Sequence, residues 1–227
     1  MSLSNLTVCM PSVLTLIGIP GLESVQCWIR IPFCAMYLIA MIGNALFLLT
    51  IRSERSLHQS MYIFLAMLGA TDILLATCIM PNMLGVFWFH LPDINFDCCL
   101  FQMWLIHTFQ CTESSILLAM AFDCYVLICD PLRHATIFTT QRVTQIGAAV
   151  SLRVVILAAP CLLLTKCRFQ FYHITVISHS YCEHMAIVKL AARNVMVNKI
   201  YGLFVTFTVS GFDLTFITLS YIYIYIY

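Results

Sequence analysis

The chain has 227 residues, of which 62% are hydrophobic and 9% charged, with a formal net charge of +1 and a mean hydropathy of +0.95. Soluble domains carry roughly 45–50% apolar and 25% charged residues, so this balance excludes an ordinary water-soluble fold and points to a membrane protein. It also excludes nucleic acid as a partner, because a phosphate-binding surface needs clustered Lys and Arg that this chain lacks.

Segments of about 20 apolar residues are needed to cross a bilayer. The N-terminal stretch "MSLSNLTVCMPSVLTLIGIPGLE" is not read as a signal peptide: it has no basic start, and its short apolar run, 13–19, ends at Pro20-Gly21. Five spans follow, at approximately 31–51, 61–89, 100–129, 146–164 and 200–226. The fold expected is all-α, a multi-pass transmembrane helix bundle occupying 1–227 as one domain, whose first helix serves as its own insertion signal.

Short loops orient the chain. "RSERSLHQS" after the first span carries Arg52 and Arg55, whereas "HLPDINFD" after the second carries Asp93 and Asp97 and no Lys or Arg, which places the N-terminus outside. The loop with Arg133 and Arg142 then falls inside, and a segment of about 35 residues after the fourth span falls outside. Lys166, Arg168, Lys189, Arg193 and Lys199 in that segment run against the charge rule, although long translocated loops count less. Asn5 in "NLT" is a glycosylation acceptor that fits this orientation.

Of the twelve cysteines, those within spans are read as small hydrophobes. Cys98, Cys99, Cys167 and Cys182 fall on the outer side, where disulfides persist, and sequence alone leaves their pairing open. His179, Cys182, Glu183 and His184 in "HSYCEH" are all metal-ligand types. Ionisable residues inside spans are costly, so Asp72, Glu113, Arg153 and Asp213 each mark a candidate site. Arg153 and Asp213 have no partner legible in the sequence, and Arg153 fits poorly on a lipid-facing surface. On the third span, Met103, His107, Gln110 and Ser114 recur at helical spacing and share one face. The chain has no phosphate-cradling glycine loop, nucleophile elbow or HExxH, so an enzyme is not expected. An ion channel or transporter lined by Asp72, Glu113 and Asp213 is the other class; the spans show no inverted repeat to favour it.

Several separated motifs agree in order and spacing: "GIPGLE" (18–23), "GN" (43–44), "LHQSMYIFLAMLGATD" (57–72), "MAFDCYVLICDPLRHA" (120–135), "SHSYCEHMAIVKLA" (178–191) and "LSY" (219–221). On these the chain resembles the class I, fish-like olfactory receptors, family 52, within the rhodopsin-like G-protein-coupled receptors. The resemblance implies odorant detection coupled to a heterotrimeric G protein. Further partners are membrane lipid and odorants that are polar or acidic volatiles. The implied location is the plasma membrane, with retention in the endoplasmic reticulum as the alternative.

The resemblance assigns residues. Cys99 and Cys182 match the family's principal disulfide, which also argues against metal at "HSYCEH". Asp72 and Glu113, with Asn44 nearby, match an acidic pair associated with a sodium ion. A bound sodium ion and a protonated acid bonded to its neighbour are the two readings. His107 and Gln110, with Thr206 opposite, are the expected odorant-pocket residues, and interhelical hydrogen bonding is the plainer reading of each.

Departures are as informative. The family reads "MAxDRYVAICxPLR", so Cys124 stands where the coupling arginine belongs, between Asp123 and Tyr125. Arginine offers a permanent charge and five donors, and a thiol offers neither, so Cys124 is read as a space-filling residue and its consequence as lost coupling. Ser60 replaces the proline of "PMY", and Ala192 stands where many odorant receptors have a cysteine that could pair with Cys167. After "LSY" the chain ends "YIYIYIY", expected to be helical, in place of the family's sixth and seventh helices. The expectation is therefore a five-helix fragment that gives no odorant-evoked signal, even with Cys124→Arg. The alternative is a non-signalling or receptor-associating membrane protein.

Overall fold

In a computed structural model of the chain, residues 12–19, 21, 26–89, 93–168, 176–190 and 196–227 are described. In chain order the elements are β1 (Val13–Leu16), α1 (Gln26–Ser53), α2 (Ser60–Phe89), β2 (Asp93–Asn95), α3 (Phe96–Cys129), α4 (Pro131–Ile137), α5 (Thr140–Arg168), β3 (Val176–Ile177), α6 (His184–Lys189), α7 (Met196–Thr206) and α8 (Phe212–Ile226). A π-helical turn, Phe207–Gly211, joins α7 to α8. Asn5, Ala192 and Arg193 lie outside the described residues, as does the side chain of Cys167.

Among the described residues, five helices are long and apolar enough to cross a membrane: Trp28–Ser53, Ser60–Phe89, Phe96–Cys129, Thr140–Lys166 and Met196–Ile226. Each extends beyond the apolar run expected from sequence, its flanking residues continuing the helical hydrogen-bond ladder. Helix is the form a single segment takes in hydrocarbon, where every backbone N–H and C=O must be satisfied internally. Trp28, Ile39 and Phe207 remain 74%, 71% and 71% exposed. Such apolar faces suit lipid as the solvent, since lipid tails give them no reason to hide. The terminal "YIYIYIY" is helical to Ile226, so its two-residue alternation does not make a strand.

The chain divides into two compact units. Unit 1 comprises the described residues of 1–38, 77–106 and 159–202, and unit 2 those of 39–76, 107–158 and 203–227.

Unit 1 contains a three-stranded sheet in the order β2-β1-β3, an addition to the all-α expectation. β1 pairs antiparallel with β2, Leu14 opposite Ile94, and parallel with β3, Leu16 opposite Ile177. Side chains alternate across a strand, so Leu14 and Leu16 point together into the core, at 0% and 2% exposure. There they meet Phe87, Leu100, Met103 and Ile187. Thr15, on the other face, donates to Asp93 Oδ1 at 2.9 Å. The Cys99–Cys182 disulfide joins α3 to the segment before α6. Gln102, one turn along, braces the same junction by donating to the Cys78 carbonyl at 2.6 Å and accepting from the Cys182 amide at 3.3 Å.

Unit 2 packs around Phe64, Ile116, Val126, Phe138 and Val143. Phe64 and Phe138 meet edge-on with centroids 6.4 Å apart, an arrangement aromatic quadrupoles favour.

Candidate functional site

Three polar clusters lie in unit 2, and each builds from a sequence feature. The first surrounds Asp123, 1% exposed near the end of α3. Asp130 and Pro131 open α4, where proline is favoured because its fixed φ suits the first helical position and its missing N–H would be unpaired there anyway. One turn later α4 presents His134, whose ring stacks on Phe138 with centroids 5.3 Å apart. His134 Nε2 stands 2.9 Å from Asp123 Oδ1, and Ser60 Oγ donates to the same oxygen at 2.7 Å. The carboxylate is thus held by a hydroxyl and an imidazole, while Cys124 beside it is a free, half-buried thiol.

Ser60 and His134 are neighbours of Asp123 that the sequence alone did not assign. The signals lay in the motifs: the resemblance implies proline where Ser60 stands, and His134 falls within "DPLRHA". The Ser60 hydroxyl gives the buried Asp123 side chain a donor. Ser60→Ala should therefore lower stability by about 1.5–3 kcal/mol, the range for a hydrogen bond to a charged group. Thermal denaturation of purified chain in detergent checks this; an unchanged midpoint would mean Asp123 does not depend on Ser60.

The second cluster is the acidic pair. Asp72 and Glu113 are close enough to interact as carboxyls, both are half-buried, and Glu113 Oε1 is buried without a hydrogen-bond partner. The Asn44 amide donates to the Ala40 carbonyl at 3.0 Å and lies against Gly69, where an added Cβ would come within 3.1 Å of Asn44 Oδ1. Gly69 and Asp72 are three apart on α2 and share a face.

The third cluster corrects the reading of Arg153 and Asp213 as unpartnered. Arg153 Nη2 stands 3.4 Å from Asp213 Oδ1 and donates to Ser115 Oγ at 3.1 Å. Ser115 in turn donates to Asp213 Oδ2 at 2.6 Å. The π-helical turn is the local cause: one extra residue in the turn rotates everything after it by roughly 100° about the helix axis. Asp213, two residues past that turn, faces inward at 0% exposure.

The expected pocket residues are less gathered. His107 is half-buried, while Gln110 and Thr206 are exposed. Neither of the two cavities described in unit 2 is lined by any of the three. At "HSYCEH", Cys182 is consumed by its disulfide, and His179 pairs with Glu183 at 3.3 Å.

Comparison with known families settles the lineage: the olfactory receptor profile matches residues 33–226. The chain belongs to the olfactory receptor family. Among its relatives are human Olfactory receptor 52A1, 76% identical over 226 residues that make up 100% of this chain and 72% of that protein. Human Olfactory receptor 52A5 is 68% identical across 98% of this chain and 70% of its own length. Human Olfactory receptor 52A4 is 62% identical across 99% and 74%. These relatives place the olfactory receptor chain in family 52, 52A subfamily, a group of multi-pass membrane receptors and not enzymes.

Proposed function

We propose that this olfactory receptor chain is an odorant receptor of the plasma membrane, N-terminus outside, whose G-protein switch at the end of α3 is inoperative. The observation that carries the reading is the closed knot at Asp123. Ser60 and His134 satisfy the carboxylate, and the neighbouring position that would hold a releasable cation is Cys124. A switch of this class works by exchanging partners between two arrangements. With a neutral thiol beside Asp123, no charge is released toward a G protein when ligand binds. A ligand shifts an equilibrium only by its differential affinity for two states, so occupancy alone produces no signal.

Family membership supports odorants as the ligands and a heterotrimeric G protein as the ancestral partner. His107, Gln110 and Thr206 are the proposed odorant contacts, and polar or acidic volatiles the proposed class. Asp72 and Glu113 have the chemistry to hold a sodium ion, since two adjacent carboxylates repel unless a cation or proton separates them. The orphaned Glu113 Oε1 supplies a spare oxygen for it. Asn5 is the proposed glycosylation site.

The test is complex formation. Purified chain in lipid nanodiscs, mixed with heterotrimeric G protein and nucleotide scavenger, should give no complex on size-exclusion chromatography with any odorant present. A co-eluting complex dissolved by added GTP would overturn the proposal.

A further inference from the structure

Within unit 2 a cavity of about 310 Å³ opens beside the Arg153–Asp213 pair, walled by Phe122, Phe138, Ile146, Phe212 and Phe216. It is almost wholly apolar apart from the cluster at its edge, and its volume lies at the lower end of the range for small-molecule sites. None of the expected odorant contacts lines it.

The polar groups at its edge are unevenly satisfied. Ser115 spends its hydroxyl proton on Asp213 and accepts from Arg153. Asp213 is fully buried and holds both of these partners. Arg153 Nε is buried with no hydrogen-bond partner among the described residues. An orphaned donor on a charged group is costly to leave unmade. The site therefore offers one strong donor, an apolar room and a carboxylate that already neutralises the cation. A ligand anion would stand beside Asp213 and be repelled, so the charge arrangement selects against acids.

We infer that this cavity is a second ligand site, taking an apolar molecule with one uncharged hydrogen-bond acceptor that receives the Arg153 Nε–H. Two sources supply that chemistry: a volatile ketone or ester, or the hydroxyl of a membrane sterol. The inference stands independently of the odorant contacts proposed above and of the switch at Asp123.

Benzophenone is a suitable probe, because its one acceptor is the carbonyl that cross-links neighbouring C–H bonds under ultraviolet light. Purified chain in phosphatidylcholine nanodiscs is irradiated with benzophenone and mapped by peptide mass spectrometry. Saturable labelling is expected on the segments 146–153 and 212–220. Anionic benzoylbenzoate, whose carboxylate would stand beside Asp213, should label them at least about tenfold less, a difference of roughly 1.4 kcal/mol. Ala119→Phe, which fills the cavity and leaves the ion pair intact, should abolish the labelling. Arg153→Met with Asp213→Leu, which removes the donor without stranding a charge, should reduce it similarly. Retention of the Cys99–Cys182 bond in each variant serves as the folding control.

Competition identifies the source. Displacement by menthone and not by cholesterol assigns the site to volatile ketones, and the reverse assigns it to sterol; displacement by both means the shared chemistry suffices. Labelling spread evenly over the lipid-facing helices, unchanged in Ala119→Phe, or displaced by neither competitor overturns the inference.

Discussion

Arg153→Met is expected to destabilise the chain by about 3–5 kcal/mol, the range for removing one partner of a buried ion pair. Asp213 is 0% exposed, whereas the Arg153 side chain is 40% exposed. Losing the arginine strands a carboxylate in hydrocarbon with only the Ser115 hydroxyl to answer it. The reverse change is milder: after Asp213→Leu, the Arg153 side chain, already 40% exposed, can swing its head group toward water or lipid headgroups. The double variant should recover most of the loss, because two apolar side chains of similar size pack without any uncompensated charge. Unfolding in mixed micelles, followed for all three variants, checks the order. If Asp213→Leu proved as damaging as Arg153→Met, the burial asymmetry would not be the controlling term.

Breaking the Cys99–Cys182 disulfide should cost about 4.5 kcal/mol by the chain-entropy estimate, for a bond closing a sequence separation of 83 residues. The bond also fixes the Cys182 amide against Gln102, and with it the segment that carries β3 to its pairing with β1. Cys182→Ser should therefore lower the melting point by several degrees and increase proteolysis of the segment around His179–Glu183. Cys98→Ser, at an exposed free thiol, should change neither. Equal behaviour of the two variants would remove the disulfide from its structural role.

What the sequence showed and what it hid have separate physical causes. The five long helices were legible because their signal is additive: a run of apolar residues suffices, and no partner need be known. The sheet was not, because β1 is a four-residue strand and β3 has two residues, too short for alternation to stand out from an apolar run. Its pairing also depends on segments far apart in the chain. The Arg153–Asp213 pair was hidden twice, by a separation of 60 residues and by the π-helical turn, which shifts the phase that regular periodicity would assign to Asp213. Ser60 was visible as a departure, yet its meaning lay at Asp123, 63 residues away. The shared face of His107 and Gln110 follows from helical spacing. Spacing does not say what covers a face, and Gln110 is exposed.

The Cys124 position was the reverse case: the resemblance marks it as the place of a coupling arginine, and lost coupling is what we propose from that departure. The structure supplies the complement, an Asp123 carboxylate already satisfied by Ser60 and His134. The most direct measurement of the switch is therefore a cyclic-AMP assay in cells expressing this 227-residue chain, with surface staining to score delivery. Cells that display the chain should give no response above mock-transfected cells to a panel of short acids, ketones and related volatiles. A reproducible, dose-dependent rise in cyclic AMP to any of them would contradict the account.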